Sequence, residues 1–120
     1  MRLIAQMLIA LIALAHLWFL TLEMFLWTKP LGLRTFGQSL EKAQDSAVLA
    51  ANQGLYNGFL AAGLIFGLLY PDPQAGRHIQ IFFLICVVAA GAYGSYSVNP
   101  KILAVQAAPA LLALVLLWLF

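Results

Sequence analysis

The sequence predicts an all-α membrane protein, a four-transmembrane-helix bundle threaded antiparallel and up-and-down. Three observations lead there. Apolar residues make up 64% of the 120-residue chain and charged residues only 8%, against about 25% charged in an ordinary soluble domain. Mean hydropathy is +0.96. The apolar residues gather into four stretches, roughly 3–26, 48–70, 79–98 and 102–120, each close to the ~20 residues that cross a bilayer as a helix. The length suits a single membrane domain over 1–120.

The first stretch follows Arg2, and Ala13-Leu14-Ala15 within it resembles a signal cleavage site. A signal core of about 7–15 apolar residues yields to polar sequence, whereas this run continues to Trp27. A retained helix is expected. The connection 28–47 is the longest and holds Lys29, Arg34, Glu41, Lys42 and Asp45. Within it Ser39 can cap a short helix that runs on into the second stretch. Pro71 and Pro73 flank Asp72 and end that stretch, because proline cannot extend the hydrogen-bond ladder. Asn99-Pro100-Lys101 closes the third in the same way, and Pro109 interrupts the fourth, freeing the Val105 carbonyl. Gly54 with Gly58, and Gly63 with Gly67, repeat at the four-residue interval that lets membrane helices approach closely. Trp27 and Trp118, near stretch ends, suit the membrane interface, and Trp18 suits the interior.

The connections at 28–47 and 99–101 carry Lys29, Arg34, Lys42 and Lys101, and the opposite side carries Arg2 and Arg77. Because Lys and Arg near helix ends favour the cytoplasm, both termini are expected outside. The cations are few and form no basic run of the kind a nucleic-acid backbone requires, and no nucleic-acid partner is expected.

Polar residues within the apolar stretches are the functional clue. His16 and Glu23 are seven residues apart, two helical turns, and so share one face. A charge at the centre of hydrocarbon costs about 2.5–3.5 kcal/mol on insertion scales, so Glu23 needs a partner, water or a ligand. Antiparallel threading brings Asn52, Gln53, Tyr56 and Asn57 of the second stretch to the same depth as Glu23. Tyr93 and Tyr96 of the third and Gln106 of the fourth arrive at that depth too. These nine residues are the candidate ligand-binding set, with His16 deepest. The competing reading is ordinary: membrane amides bond one another across helices for about 0.6 kcal/mol each, and Glu23 can pair with a loop lysine.

Other chemistries lack their residues. There is no phosphate-binding loop, zinc-protease motif, dinucleotide fingerprint or nucleophile elbow. Cys86 is the only cysteine, and a small buried hydrophobe is its ordinary role. His16 and His78 fall about half a membrane apart, so no metal ligand set and no cofactor is expected.

The run His16-Leu-Trp-Phe-Leu-Thr-Leu-Glu23-Met-Phe-Leu-Trp27, with Ala50-Ala-Asn-Gln-Gly-Leu-Tyr-Asn-Gly58 and Lys101-Ile-Leu-Ala-Val-Gln-Ala-Ala-Pro109, resembles a family of small bacterial integral membrane proteins catalogued as domain of unknown function 1304. The resemblance covers essentially the whole chain. It implies four membrane helices and a place in a bacterial inner membrane, among membrane lipids. The family's polar positions match His16, Glu23, Asn52, Gln53, Asn57 and Gln106, with no activity attached. The residues themselves favour a polar pocket that binds or moves a small molecule or ion, with transport requiring a homo-oligomer. The alternatives are an enzyme on a lipid or isoprenoid substrate, with Glu23 and His16 as its acid and base, and a helper subunit packing through its glycines.

Overall fold

A computed structural model describes residues 1–120, except for the side chain of Leu103. The fold is all-helical, and its elements follow from local sequence. Helix α1 (Arg2–Met24) ends where two successive amides, of Phe25 and Leu26, both turn onto the Thr21 carbonyl. Helix α2 (Pro30–Phe36) begins on a proline and stops at Gly37. Gly37 takes φ +61°, the left-handed conformation that glycine adopts freely, and its amide closes on the Leu33 carbonyl. The sequence reading places no helix in this part of the long connection; a Pro start and a Gly stop seven residues apart are its local signature.

Helix α3 (Leu40–Leu69) is continuous over 30 residues. Ser39 starts it, its hydroxyl accepting from the Lys42 amide at 3.2 Å, so the cap and the second apolar stretch form one helix. Helix α4 (Pro73–Ser97) begins on Pro73, with Asp72 accepting from the Ala75 amide. The fourth stretch opens as a π-helical turn, Leu103–Ala107, and continues as α5 (Ala108–Leu119) with Pro109 in its first turn. The disturbance expected at Pro109 thus takes the form of a widened turn just before it.

By length and apolarity, α1 and α4 can cross a membrane. The other two expected crossings do not pass the same test. Helix α3 is long enough, but Asn52, Gln53, Tyr56 and Asn57 dilute its middle. The apolar run Ala104–Leu119 is short.

The chain divides into two compact units, Met1–Leu14 with Leu60–Phe120, and Ala15–Phe59. The first unit holds the hydrophobic core. Ala5, Ile9, Ile12 and Ala13 of α1 line one helical face, as do Leu84 and Val87 of α4 and Ala110, Ala113 and Leu117 of α5; Ala61 and Leu64 of α3 complete it. These spacings of three and four are those of a helix face turned to its neighbours. Many are small residues, and glycines extend the pattern. A Cβ on Gly76 would lie 2.6 Å from the Gly67 carbonyl oxygen, so α3 and α4 touch there backbone to backbone. The Gly67 oxygen also accepts from Gln80 Nε2 at 3.0 Å, which gives the buried Gln80 its partner.

Many large side chains point the other way. Leu3, Met7, Leu11, Phe66, Phe82, Ile85, Leu111, Leu112 and Trp118 of this unit are all exposed.

Candidate functional site

In the unit Ala15–Phe59, the end of α1 meets α3. Leu20, Glu23 and Met24 share one face of α1 by their spacing of three and four, and Gly54, Asn57 and Gly58 share one face of α3 in the same way. The glycines set the distance. A Cβ on Gly54 would fall 3.1 Å from Glu23 Cβ and 3.2 Å from the Leu20 oxygen, so the two helices are in contact at that level. One turn further along α3, Asn57 reaches the carboxylate. Its Nδ2 donates to Glu23 Oε1 at 2.5 Å.

Glu23 and Asn57 are both half-buried. Glu23 stands in the last turn of α1, which carries no basic residue. A helix C-terminus is the negative end of the peptide dipoles, so a carboxylate there gains nothing from its own helix. The Asn57 amide supplies what α1 does not: a directed donor, without a compensating positive charge.

His16 is 1% exposed and packs edge-on against Phe19, ring centres 5.2 Å apart. Seven residues at 1.5 Å rise put it about 10 Å from Glu23 along α1. The remaining candidates on α3 are more exposed than Asn57. Asn52 and Gln53 are exposed, and Tyr56 is half exposed with its ring beside Phe59. Asn52 and Tyr56 each lie two residues from Gly54, about 200° around the helix, which carries them away from the face that meets α1. Tyr93, Tyr96 and Gln106 belong to the other unit. There Tyr93 and Tyr96 are strongly exposed, and Gln106 is half-buried within the π-helical turn.

A second polar link in the same unit lies outside the sequence-predicted set. Trp27 Nε1 donates to Ser46 Oγ at 3.1 Å and its ring packs on Phe36, centres 4.8 Å apart. This ties the segment after α1, and α2 with it, to the start of α3. The signal was available: an aromatic N–H seeks an acceptor when its ring is buried. Among the described residues, no group of three His, Cys, Asp or Glu side chains gathers at one point.

The family described as Protein of unknown function (DUF1304) matches residues 10–118. The chain belongs to this family. It is also similar to the Uncharacterized protein YpaA of Lactococcus lactis subsp. lactis (strain IL1403), 32% identical over 117 residues, with 96% of this chain and 97% of that protein covered. No solved structure matches the chain. The DUF1304 match spans α1 to α5 and so includes Glu23 and Asn57; it attaches no activity to either.

Proposed function

We propose that this DUF1304 protein is an integral membrane protein whose four apolar stretches cross the bilayer up-and-down, and that Glu23 is the anchor of a site for a small polar molecule or cation. The observation that carries the site is the Asn57–Glu23 hydrogen bond, which holds a carboxylate at a fixed place in an apolar chain.

The membrane reading draws on which side chains face outward. Only 28% of the apolar window of α1 and 22% of that of α4 is buried, whereas the core helix of a soluble protein is mostly buried. Exposed leucine and phenylalanine around a core in which alanines sit among larger aliphatic side chains, with glycines at the close helix contacts, suit a lipid solvent. The ligand reading draws on cost. A carboxylate kept in such surroundings loses hydration, and a single amide donor leaves most of its acceptor capacity open. A bound cation or a donor-bearing molecule would use that capacity. The helper-subunit alternative draws less support, because Gly54, Gly58, Gly63 and Gly67 all face side chains or backbone of their own chain. A bacterial inner membrane, termini outside and a homo-oligomer for transport complete the proposal.

Native mass spectrometry of gently extracted protein tests the site. Wild type should retain a small polar species that Glu23→Gln loses, while the circular dichroism of the two proteins stays alike. Equal retention by both, or no retained species in wild type, would remove Glu23 from any ligand role.

A further inference from the structure

The unit Met1–Leu14 with Leu60–Phe120 contains a cavity of about 300 Å³ whose polar lining is Arg2, Gln6, Tyr70, Arg77 and Gln80. It lies where α1 and α4 begin and where α3 and α5 end. None of its lining residues is an aspartate or glutamate. Its volume is at the lower end of the ~300–1,000 Å³ typical of small-ligand pockets.

Its electrostatics favour an anion, for three reasons. Two guanidiniums line it, and each belongs near the N-terminal end of its helix, Arg2 on α1 and Arg77 on α4. A cation at a helix N-terminus gains nothing from the peptide dipoles, while an anion there gains from both the dipoles and the guanidiniums. At each helix end that contributes the opposite sign, one carbonyl is already engaged. The Gly67 carbonyl of α3 accepts from Gln80 Nε2, and the Leu117 carbonyl of α5 accepts from Arg77 Nη2. Finally, Arg77 is held in place by that bond to α5 yet has further N–H donors on the same planar group. Arg2 is exposed and contributes a second such fork. Planar forks of this kind match the oxygens of a phosphate. Asp72 is occupied outside the lining, accepting from the Ala75 amide at 3.2 Å.

We propose that this cavity binds a phosphate group, either as free phosphate or as the phosphodiester of an anionic lipid headgroup. It does not rest on Glu23: a chain that holds nothing at Glu23 can still pass the test below.

The test is native mass spectrometry of the full chain in detergent micelles offered equal phosphatidylglycerol and phosphatidylcholine, with inorganic phosphate as a competitor. Wild type should retain phosphatidylglycerol over phosphatidylcholine, and Arg2→Gln and Arg77→Gln should each reduce that preference about tenfold or more, the scale of one lost charge-assisted hydrogen bond. Lys101→Gln, an exposed cation beyond the far end of α4, should leave it unchanged. Displacement by inorganic phosphate identifies the phosphate group itself as the ligand; retention against it identifies the lipid headgroup. If Arg77→Gln fails to fold for want of its bond to α5, Arg2→Gln decides alone. No preference in wild type together with no phosphate binding overturns the proposal. So does an equal loss in Lys101→Gln, which would mean diffuse surface charge.

Discussion

Replacing Gly54 by alanine should destabilise the chain while the same change at Gly58 should not, although the two glycines are one turn apart on the same face of α3. In a helix interior, Gly→Ala gains about 0.8–1.0 kcal/mol of helix propensity. Against this stands the space available. At Gly58 the new Cβ would meet Leu20 Cδ1 at 2.6 Å and nothing else closer than 3.9 Å. That methyl is the far end of a rotatable side chain, so it can move aside, and the variant should stay within about 1 kcal/mol of wild type. At Gly54 the Cβ would lie 2.6 Å from Met24 Cγ, 3.1 Å from Glu23 Cβ and 3.2 Å from the Leu20 oxygen. The last two atoms are fixed by the backbone of α1. Because they cannot move aside, the overpacking falls in the upper part of the usual range, about 2–3 kcal/mol, and outweighs the propensity gain of about 1 kcal/mol for a net loss of about 1–2 kcal/mol. Because α1 must back away, the same variant should weaken the Asn57–Glu23 bond. Equilibrium unfolding of the purified chain by sodium dodecyl sulfate in mixed micelles measures both variants. Equal destabilisation of the two, or a Gly54→Ala as stable as wild type, would refute the contact between α1 and α3.

Asn57→Leu leaves the half-buried Glu23 without its donor and should cost about 1–3 kcal/mol; combined with Glu23→Leu it should cost less than the sum of the two single variants, as measured by a double-mutant cycle. Gln80→Leu strands the Gly67 carbonyl at the close approach of α3 and α4 and should lower the unfolding midpoint by a similar free energy, about 1–3 kcal/mol. In a Cys86→Ala background, cysteines at exposed Thr35 and Gln74 should react with impermeant reagent from opposite faces of the membrane, Thr35 from the cytoplasm. Labelling of both from one face would refute an odd number of crossings between them, and labelling of Thr35 from outside would reverse the orientation.

The all-helical fold was legible from the length of the apolar stretches, each near 20 residues and so longer than ordinary strands. Proline and serine carried the punctuation: Ser39, Pro73 and Pro109 each mark a change of element. The pairing of Glu23 with the second stretch was legible from the antiparallel threading that the sequence suggests, which would put Asn57 at its level. Depth was also where the reasoning stopped. It grouped Asn52 and Tyr56 with Asn57, although 100° per residue sends them around the helix; Gln53, one turn before Asn57, shares its side of α3 but is exposed. Rotation was encoded in Gly54 and Gly58, whose small size marks the face that meets another helix, but glycine spacing alone does not say which residues stand opposite. The cation-lined cavity was hidden for another reason. Arg2 and Arg77 are 75 positions apart, and as interface charges each has an ordinary explanation by itself.

The widened turn at Leu103–Ala107 bears on how this chain tolerates change in length. A π-helical turn is the form in which a helix stores one surplus residue: hydrogen bonds reach five positions instead of four, and the excess is absorbed before the next turn. Beyond it, Ala110, Ala113 and Leu117 still face the core. A chain lacking one residue among 104–106 can therefore close the same span as plain α-helix and keep those three in phase. Relatives of different length at this point should align without a shift after Pro109, whereas a one-residue deletion inside 110–117 has no such reserve and would rotate the rest of α5 out of register.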